Sequence, residues 1–82
     1  MQFSEAQLAS MLQQGRKLQC ECNGHNTFYQ FNVLTYRITF VDGKYIMSCL
    51  AGAEYQLWRM EYESLAELLK NQTFDLNRFR MV

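Results

Sequence analysis

The first apolar pattern along the chain has the period of an amphipathic helix. Its apolar face is formed by Leu8, Met11 and Leu12. Ser4 and Gln7 make the S-x-x-Q pattern of a capping box, which satisfies free N–H groups at a helix start. Gly15 follows the stripe, and glycine readily takes the left-handed conformation that ends a helix. The pattern predicts a helix over about residues 5–14.

Strict alternation replaces the helical period and predicts a strand over residues 17–22. The residues on its apolar face are Leu18, Cys20 and Cys22. Asn23 and Gly24 follow directly, and Asn-Gly is a strong signal for a two-residue hairpin loop. We therefore expect a turn over residues 23–26.

Residues 27–41 are almost unbroken β-forming sequence, but their alternation changes parity once. One parity is shared by Tyr29, Phe31 and Val33, and the other by Leu34, Tyr36, Ile38 and Phe40. A β-bulge at this point would let one long strand keep a single face inward. The alternative is two strands broken near Asn32.

Asp42 and Gly43 mark the next hairpin turn. A two-residue loop fixes the register of the strands on either side of it. It predicts the cross-strand pairs Phe40–Tyr45, Ile38–Met47 and Tyr36–Cys49, all on one face. These side chains are the predicted centre of the core.

One more strand and one more helix complete the regular pattern. The pattern of residues 55–62 predicts a strand that places Trp58, Met60 and Tyr62 on one face. Ser64 and Glu67 form a second capping-box pattern, and a leucine stripe predicts a helix over about residues 65–71. The tail that follows has β-like or irregular character.

This order of elements predicts an α+β fold in a single domain spanning residues 1–82. We expect an N-terminal helix, an antiparallel sheet of three to four strands, and a short C-terminal helix and tail. Both helices can cover one face of the sheet, which gives a two-layer sandwich. The other face of the sheet is then free for a partner.

Composition narrows the class of protein more than it narrows the function. The chain has 82 residues, 49% of them hydrophobic and 15% aromatic, with a formal net charge of zero. These values exclude a disordered tail, a coiled-coil rod and a multidomain enzyme. The three cysteines are an odd number, and neither a secretory signal nor a membrane span is evident. We expect a cytoplasmic protein with free thiols, no cofactor and no enzymatic activity.

The cysteines and the single histidine form one candidate for chemistry. Cys20, Cys22, His25 and Cys49 together would supply a Cys₃His zinc set. Across a hairpin at residues 23–26, Cys22 would face His25, which is also the arrangement of a Cys/His nucleophile. The C-x-C spacing is unusual for zinc, and cysteine is commonly buried as a small hydrophobic residue. The prediction is therefore that the protein binds no metal, and a zinc-stabilised domain ranks third among the functional hypotheses.

Basic residues give the second alternative, a nucleic-acid-binding or regulatory module. The basic pairs are Arg16-Lys17 and Arg78-x-Arg80, and exposed aromatic side chains could stack on bases. The helix–sheet–helix order resembles the double-stranded-RNA-binding domain in element order alone. The basic loop and helix end of that domain have no counterpart here, so its function is not carried over, and nucleic acid is not the expected partner.

The favoured interpretation is a small protein-binding module. The chain has more aromatic residues and methionines than a domain of this size easily buries, and these types favour interface centres. The predicted partner-binding residues are Glu54, Tyr55, Trp58, Arg59, Glu61, Glu63 and Glu67. We expect a stoichiometric inhibitor or adaptor that occludes another protein, such as a nucleic-acid-handling enzyme, or else a homodimer. Proteins of phages and mobile elements that block host or defence enzymes are commonly of this size.

Overall fold

The computed structural model describes residues 4–26, 31–51, 55–72 and 76–82. Within these ranges the chain forms two α-helices, a five-stranded antiparallel sheet and a short 3-10 helix. In chain order the elements are α1 (Glu5–Gln13), β1 (Leu18–Asn26), β2 (Phe31–Val41), β3 (Lys44–Ala51), β4 (Tyr55–Tyr62), α2 (Leu65–Asn71), the 3-10 helix (Leu76–Arg78) and β5 (Arg80–Met81). The predicted α+β class with an antiparallel sheet is confirmed.

Helix α1 begins and ends as its sequence predicts. Ser4 Oγ accepts a hydrogen bond from the Gln7 N–H at 3.2 Å, and the Ser4 N–H donates to Gln7 Oε1 at 2.9 Å. At the other end Gly15 has φ +93°, and the Arg16 N–H donates to the Met11 carbonyl at 3.2 Å. This is a Schellman motif, which satisfies carbonyls that the helix leaves without partners. The helix ends one residue earlier than predicted.

The β2–β3 hairpin has the predicted register. Asp42 and Gly43 have φ values of +51° and +79°, the left-handed pair that a type I′ turn requires. The loop pairs Phe40 with Tyr45, Ile38 with Met47 and Tyr36 with Cys49. Because residues that pair directly share a face, this turn places all six side chains on the side of the sheet that carries the helices.

The predicted turn at Asn23-Gly24 is wrong. Both residues lie inside β1, which continues to Asn26, and the connection over residues 27–30 falls outside the described residues. Continued pairing with β2 satisfies more backbone groups than an early turn would, so it prevails over the local turn preference. Cys22 consequently lies opposite Leu34, and it does not face His25.

Strand β2 is one continuous strand, and its pairing with β1 is irregular next to Val33. Asn23 pairs with Val33, and the next pair is Asn26 with Phe31, so two residues of β1 oppose Asn32 alone. The extra residue is therefore on β1, whereas the sequence placed the bulge on β2 at Val33-Leu34. The alternative of two strands broken near Asn32 is wrong.

The sheet has five strands, in the order β4-β3-β2-β1-β5, and the predicted count of three to four is wrong. The additional strand is β5, whose Arg80 pairs with Gln19 of β1. Backbone hydrogen bonds between Lys17 and Val82, at 2.7 and 3.3 Å, extend this contact. A strand of two residues is too short to show a period, which is why the sequence pattern described it only as a β-like tail.

Both helices pack on one face of the sheet. The buried cluster between the layers consists of Leu8, Leu12, Leu18, Cys20, Ile38, Tyr45, Met47, Tyr62, Leu65, Leu68 and Phe79. The helices have nine and seven residues, so they are about 13 and 10 Å long. Strand β2 has 11 residues and is about 37 Å long, so helices of this length leave part of the sheet face uncovered. Neither helix in the described ranges is long and apolar enough to cross a membrane.

The start of α2 provides a test of the capping interaction. Ser64 Oγ accepts from the Glu67 N–H at 3.1 Å, so Ser64→Ala should lower the free energy of unfolding by about 1 kcal/mol. The matched control is Ser10→Ala, since Ser10 lies within α1 and its alanine variant gains helix propensity. Urea unfolding of both variants measures the difference. Equal losses in the two variants would contradict a capping role for Ser64.

Candidate protein-binding surface

Strand β4 forms one edge of the sheet. Among the described strands only β3 pairs with it, and seven of its eight residues are exposed or half-buried. An edge strand presents a row of backbone N–H and C=O groups that can pair with another chain. The edge at β5 is much shorter, with two residues. Strand β5 pairs with only Leu18 and Gln19, so the rest of β1 is a second open edge of the described sheet. Strand β4 is distinguished by the large apolar side chains that are exposed along it.

The side of β4 that faces the helix layer carries large apolar side chains that the helices do not cover. Trp58 and Met60 have the same parity along β4 as the buried Tyr62, so they lie on the core side of the sheet. Their exposed fractions are 48% and 38%, and Tyr55 is 65% exposed. We call Tyr55, Trp58 and Met60, together with the outer edge of β4, the β4 surface.

A β-bulge explains why Tyr55 and Trp58 share a side although they are three residues apart. Trp58 pairs with Cys49, while Tyr55 pairs with Ala51 two residues further along β3. The register shift leaves Leu57 as the extra residue of β4. Without it, simple alternation would place Tyr55 and Trp58 on opposite faces. The bulge therefore assembles the apolar part of the β4 surface.

Trp58 rests on a fixed support. Its ring lies 6.3 Å from that of Tyr36, centroid to centroid, at an interplanar angle of 53°. Tyr36 in turn shares a side-chain hydrogen bond with the buried Cys49. Burial raises the pKa of both groups above their ordinary values; the hydrogen bond also raises the pKa of Tyr36 but lowers that of Cys49, where burial prevails, so both are protonated at neutral pH. A tryptophan held in this way loses little conformational freedom when a partner covers it.

The opposite side of β4 carries charges of alternating sign. Arg59 Nη2 lies 3.0 Å from Glu61 Oε1, and Lys44 Nζ lies 3.8 Å from carboxylate oxygens of both Glu61 and Glu63. All four side chains are substantially exposed, so these ion pairs contribute little to folding stability. Their main effect is to set the charge pattern that β4 presents. The negative charge of Glu61 and Glu63, two of the predicted partner-binding residues, is thus partly neutralised by Lys44 and Arg59.

The predicted partner-binding residues do not share one face. Tyr55 and Trp58 lie on the helix side, Arg59 and Glu61 lie on the opposite side, and Glu63 follows the strand. Glu67 lies in the first turn of α2, and Glu54 falls outside the described residues.

Met60 belongs to the β4 surface but was absent from the predicted set. Its shared parity with Trp58 was visible in the sequence. The alternation along residues 55–62 places Met60 on one face with Trp58 and Tyr62 and does not indicate its exposure. Exposure at a sheet edge depends on how far the helices extend over the sheet. The alternation of residues along β4 carries no information about that extent.

The candidate metal ligands are brought together only in part. Cys20 and Cys22 lie two residues apart on the same side of β1, with their Sγ atoms 3.7 Å apart. Cys20 and Cys49 are buried free thiols. Burial, followed by the neighbouring Cys22, raises the pKa of the Cys20 thiol. No group of three or more candidate ligand residues forms within the described ranges, which do not include the His25 side chain.

The basic residues of the nucleic-acid alternative gather at the opposite end of the sheet. The pairing of β5 with β1 places Arg80 opposite Gln19, two positions from the Lys17–Val82 backbone contact. Arg16 and Arg78 lie two residues before the starts of β1 and β5. Arg80 also forms an ion pair with Glu21, which offsets part of the positive charge.

An open groove lies at the turn end of the sandwich. It has a volume of about 570 Å³ and runs between α1, the start of α2 and the β2–β3 turn. Its charged wall residues are Glu5 and Glu63, and small side chains such as Ala6 and Ala9 form much of the rest. The β4 surface offers larger apolar groups and free backbone, and is the stronger candidate for binding a protein.

Comparison of the chain with protein-family models, with curated proteins and with solved structures gives no significant match.

The buried groups behind Trp58 predict how stability varies with pH. Cys20, Cys49 and Tyr36 have raised pKa values, so the folded protein keeps these protons to higher pH than the unfolded chain does. Their contribution is complete well below about pH 8.5, the pH at which ordinary thiols are half ionised, and is lost as pH rises further. Urea unfolding under reducing conditions should show the free energy of unfolding falling from pH 8 to pH 10. Cys49→Ala should show a smaller fall, and an equal or larger fall in that variant would contradict the assignment.

Proposed function

We propose that this protein is a small protein-binding module and that the β4 surface is its binding surface. The observation that carries the proposal is the coincidence of an unpaired edge strand with three exposed large apolar side chains on one side of it. Exposed apolar groups that lie together on a small domain are typical of interaction sites.

Strand addition is the binding mode that this surface supports best. An extended segment of the partner would pair with the outer edge of β4 and lengthen the sheet by one strand. Backbone hydrogen bonds would supply affinity for any extended segment, and Tyr55, Trp58 and Met60 would select apolar side chains on the helix side. Tryptophan and tyrosine are among the residues that contribute most to interface energies.

Such a module acts on its partner by occlusion. We propose that it works as a stoichiometric inhibitor or adaptor, because a bound partner loses access to the segment that β4 covers. Lys44 and Arg59 already pair with Glu61 and Glu63, so the acidic side chains have little unpaired charge to offer a basic partner. The apolar side chains and the backbone of β4 therefore supply most of the proposed binding free energy.

Two lysine substitutions test this surface. Met60→Lys places a charge on the apolar side of β4, where lysine discourages edge pairing, and should abolish partner binding. Val41→Lys is the matched control, since Val41 is 46% exposed, close to the 48% of Met60, but lies on β2. Tagged wild type and both variants are used to capture proteins from the native cell lysate, with quantitative mass spectrometry as the readout.

The proposal expects one stoichiometric protein, either another chain or an untagged copy of this one, with the wild type and Val41→Lys but not with Met60→Lys. Circular dichroism of each variant confirms that it is folded. Equal capture by all three proteins, or capture by none, would contradict the proposal.

The basic end of the sheet supports a second candidate function, contact with a nucleic-acid backbone. The β1–β5 pairing gathers Arg16, Lys17, Arg78 and Arg80 around one edge. If these four cations bind phosphates, the logarithm of the binding constant should fall with the logarithm of salt concentration with a slope of about −3. Fluorescence anisotropy with labelled single-stranded and duplex oligonucleotides measures this slope. Replacing Arg16 and Lys17 by Ala should reduce it to about half, and absence of binding at low salt would remove this candidate.

A further inference from the structure

We infer that the chain that pairs with the β4 surface is a second copy of this protein, joined antiparallel about a two-fold axis. The inference rests on the proposed binding surface, because it names a second copy as the partner there, and it takes the homodimer in place of the inhibitor or adaptor. The observation that carries it is the charge pattern of β4. Arg59 and Glu61 come directly before and after Met60 in the chain, and their side chains share the face opposite to that of Met60.

A two-fold axis perpendicular to the sheet pairs β4 with its own copy and keeps each side chain on its original face. The register is then fixed by the residue that lies opposite itself. With Met60 on the axis, Arg59 of each copy lies opposite Glu61 of the other, so the Arg59–Glu61 pair within each strand extends into a network with two cross-strand ion pairs. Opposite charges at directly paired positions stabilise a sheet.

The neighbouring registers lack this match. With Arg59 on the axis, two arginines oppose each other, and with Glu61 on the axis, two glutamates do. Like charges at directly paired positions are destabilising. The charge pattern of β4 therefore favours one antiparallel register over those adjacent to it.

The helix side of the same register is also complementary. Met60 lies opposite its own copy, and Trp58 lies opposite Tyr62 of the other chain, which gives two cross-strand aromatic pairs. The exposed part of Met60 would become covered. The Tyr62 hydroxyl already accepts a hydrogen bond from Gln72 Nε2 at 2.8 Å, so its ring is held in place for this contact.

Strand β5, on the other side of the sheet, does not compete as a self-association site. Strand β5 has two residues, and Arg16, Lys17, Arg78 and Arg80 gather around that edge, so two copies would repel each other there. Pairing of β4 with β5 of another copy would be head-to-tail, and such contacts form open chains unless the rotation closes. The symmetric β4 pair closes after two copies.

A charge-exchange experiment tests this register. Sedimentation velocity of the wild type over a range of concentrations should show a reversible monomer–dimer equilibrium. Arg59→Glu and Glu61→Arg should each weaken the dimer about tenfold or more, because each converts both cross-strand ion pairs into like-charge pairs. An equimolar mixture of these two variants should restore association, since the introduced glutamate of one chain then lies opposite the introduced arginine of the other. The double variant carrying both substitutions should also restore it.

Lys70→Glu is the matched control for Arg59→Glu. Lys70 is exposed in the last turn of α2, and the substitution makes the same change in net charge away from the edge. It should leave the dimer unchanged. Recovery of association in the mixture shows that both single variants are folded, because neither associates alone.

Three results would overturn the inference: a wild type that stays monomeric at every concentration, single variants that dimerise like the wild type, or a mixture that does not associate. If the wild type is monomeric but captures a different protein, and Met60→Lys abolishes that capture, the identification of the partner as a second copy is wrong. The proposed function is then still supported. A dimer unaffected both by Met60→Lys and by the charge exchange would overturn the inference and would argue against β4 as the binding surface.

Discussion

The register of the β2–β3 hairpin is the constraint on which the rest of the structure depends. Asp42 and Gly43 both adopt positive φ, which commits the chain to a two-residue type I′ loop. A shift of one residue would move every side chain of a strand to the other face. The loop therefore decides that Ile38 and Met47 meet the helices, and both are almost fully buried in the core.

That register also creates an exposed surface. The helices of nine and seven residues cover only part of the face that the hairpin defines. Tyr36 and Cys49 lie further from the turn than Ile38 and Met47 do, and Tyr36 supports Trp58 from the side. The same alternation that fills the core thus continues past the helices and leaves apolar side chains open at β4. A short helix layer on a long-stranded sheet is sufficient to explain the aromatic surplus of the composition.

The elements that could be predicted from sequence are those fixed by local chemistry. The capping box at Ser4, the left-handed Gly15 and the Asp42-Gly43 loop each involve residues close together in the chain. The sequence predictions are wrong where pairing with a strand distant in the chain determines the local structure. Asn23-Gly24 is extended because β2 continues opposite it, and β5 exists because it adds to β1. The candidate site shows the same division, since Tyr55 and Trp58 were recognised by residue type, whereas their common face depends on a bulge set by pairing with β3.

An open edge strand with apolar side chains exposes a protein to unselective aggregation, and the charges of β4 limit that hazard. In a parallel, in-register stack, which is common in fibrils, Arg59 would oppose Arg59 and Glu61 would oppose Glu61. Such stacking is disfavoured by like-charge repulsion, which is one way that natural sheets protect their edges. An antiparallel partner with the complementary order of charges meets no such penalty. The alternating charges on one side of β4 can therefore discriminate among partners, while the apolar groups on the other side provide the attraction.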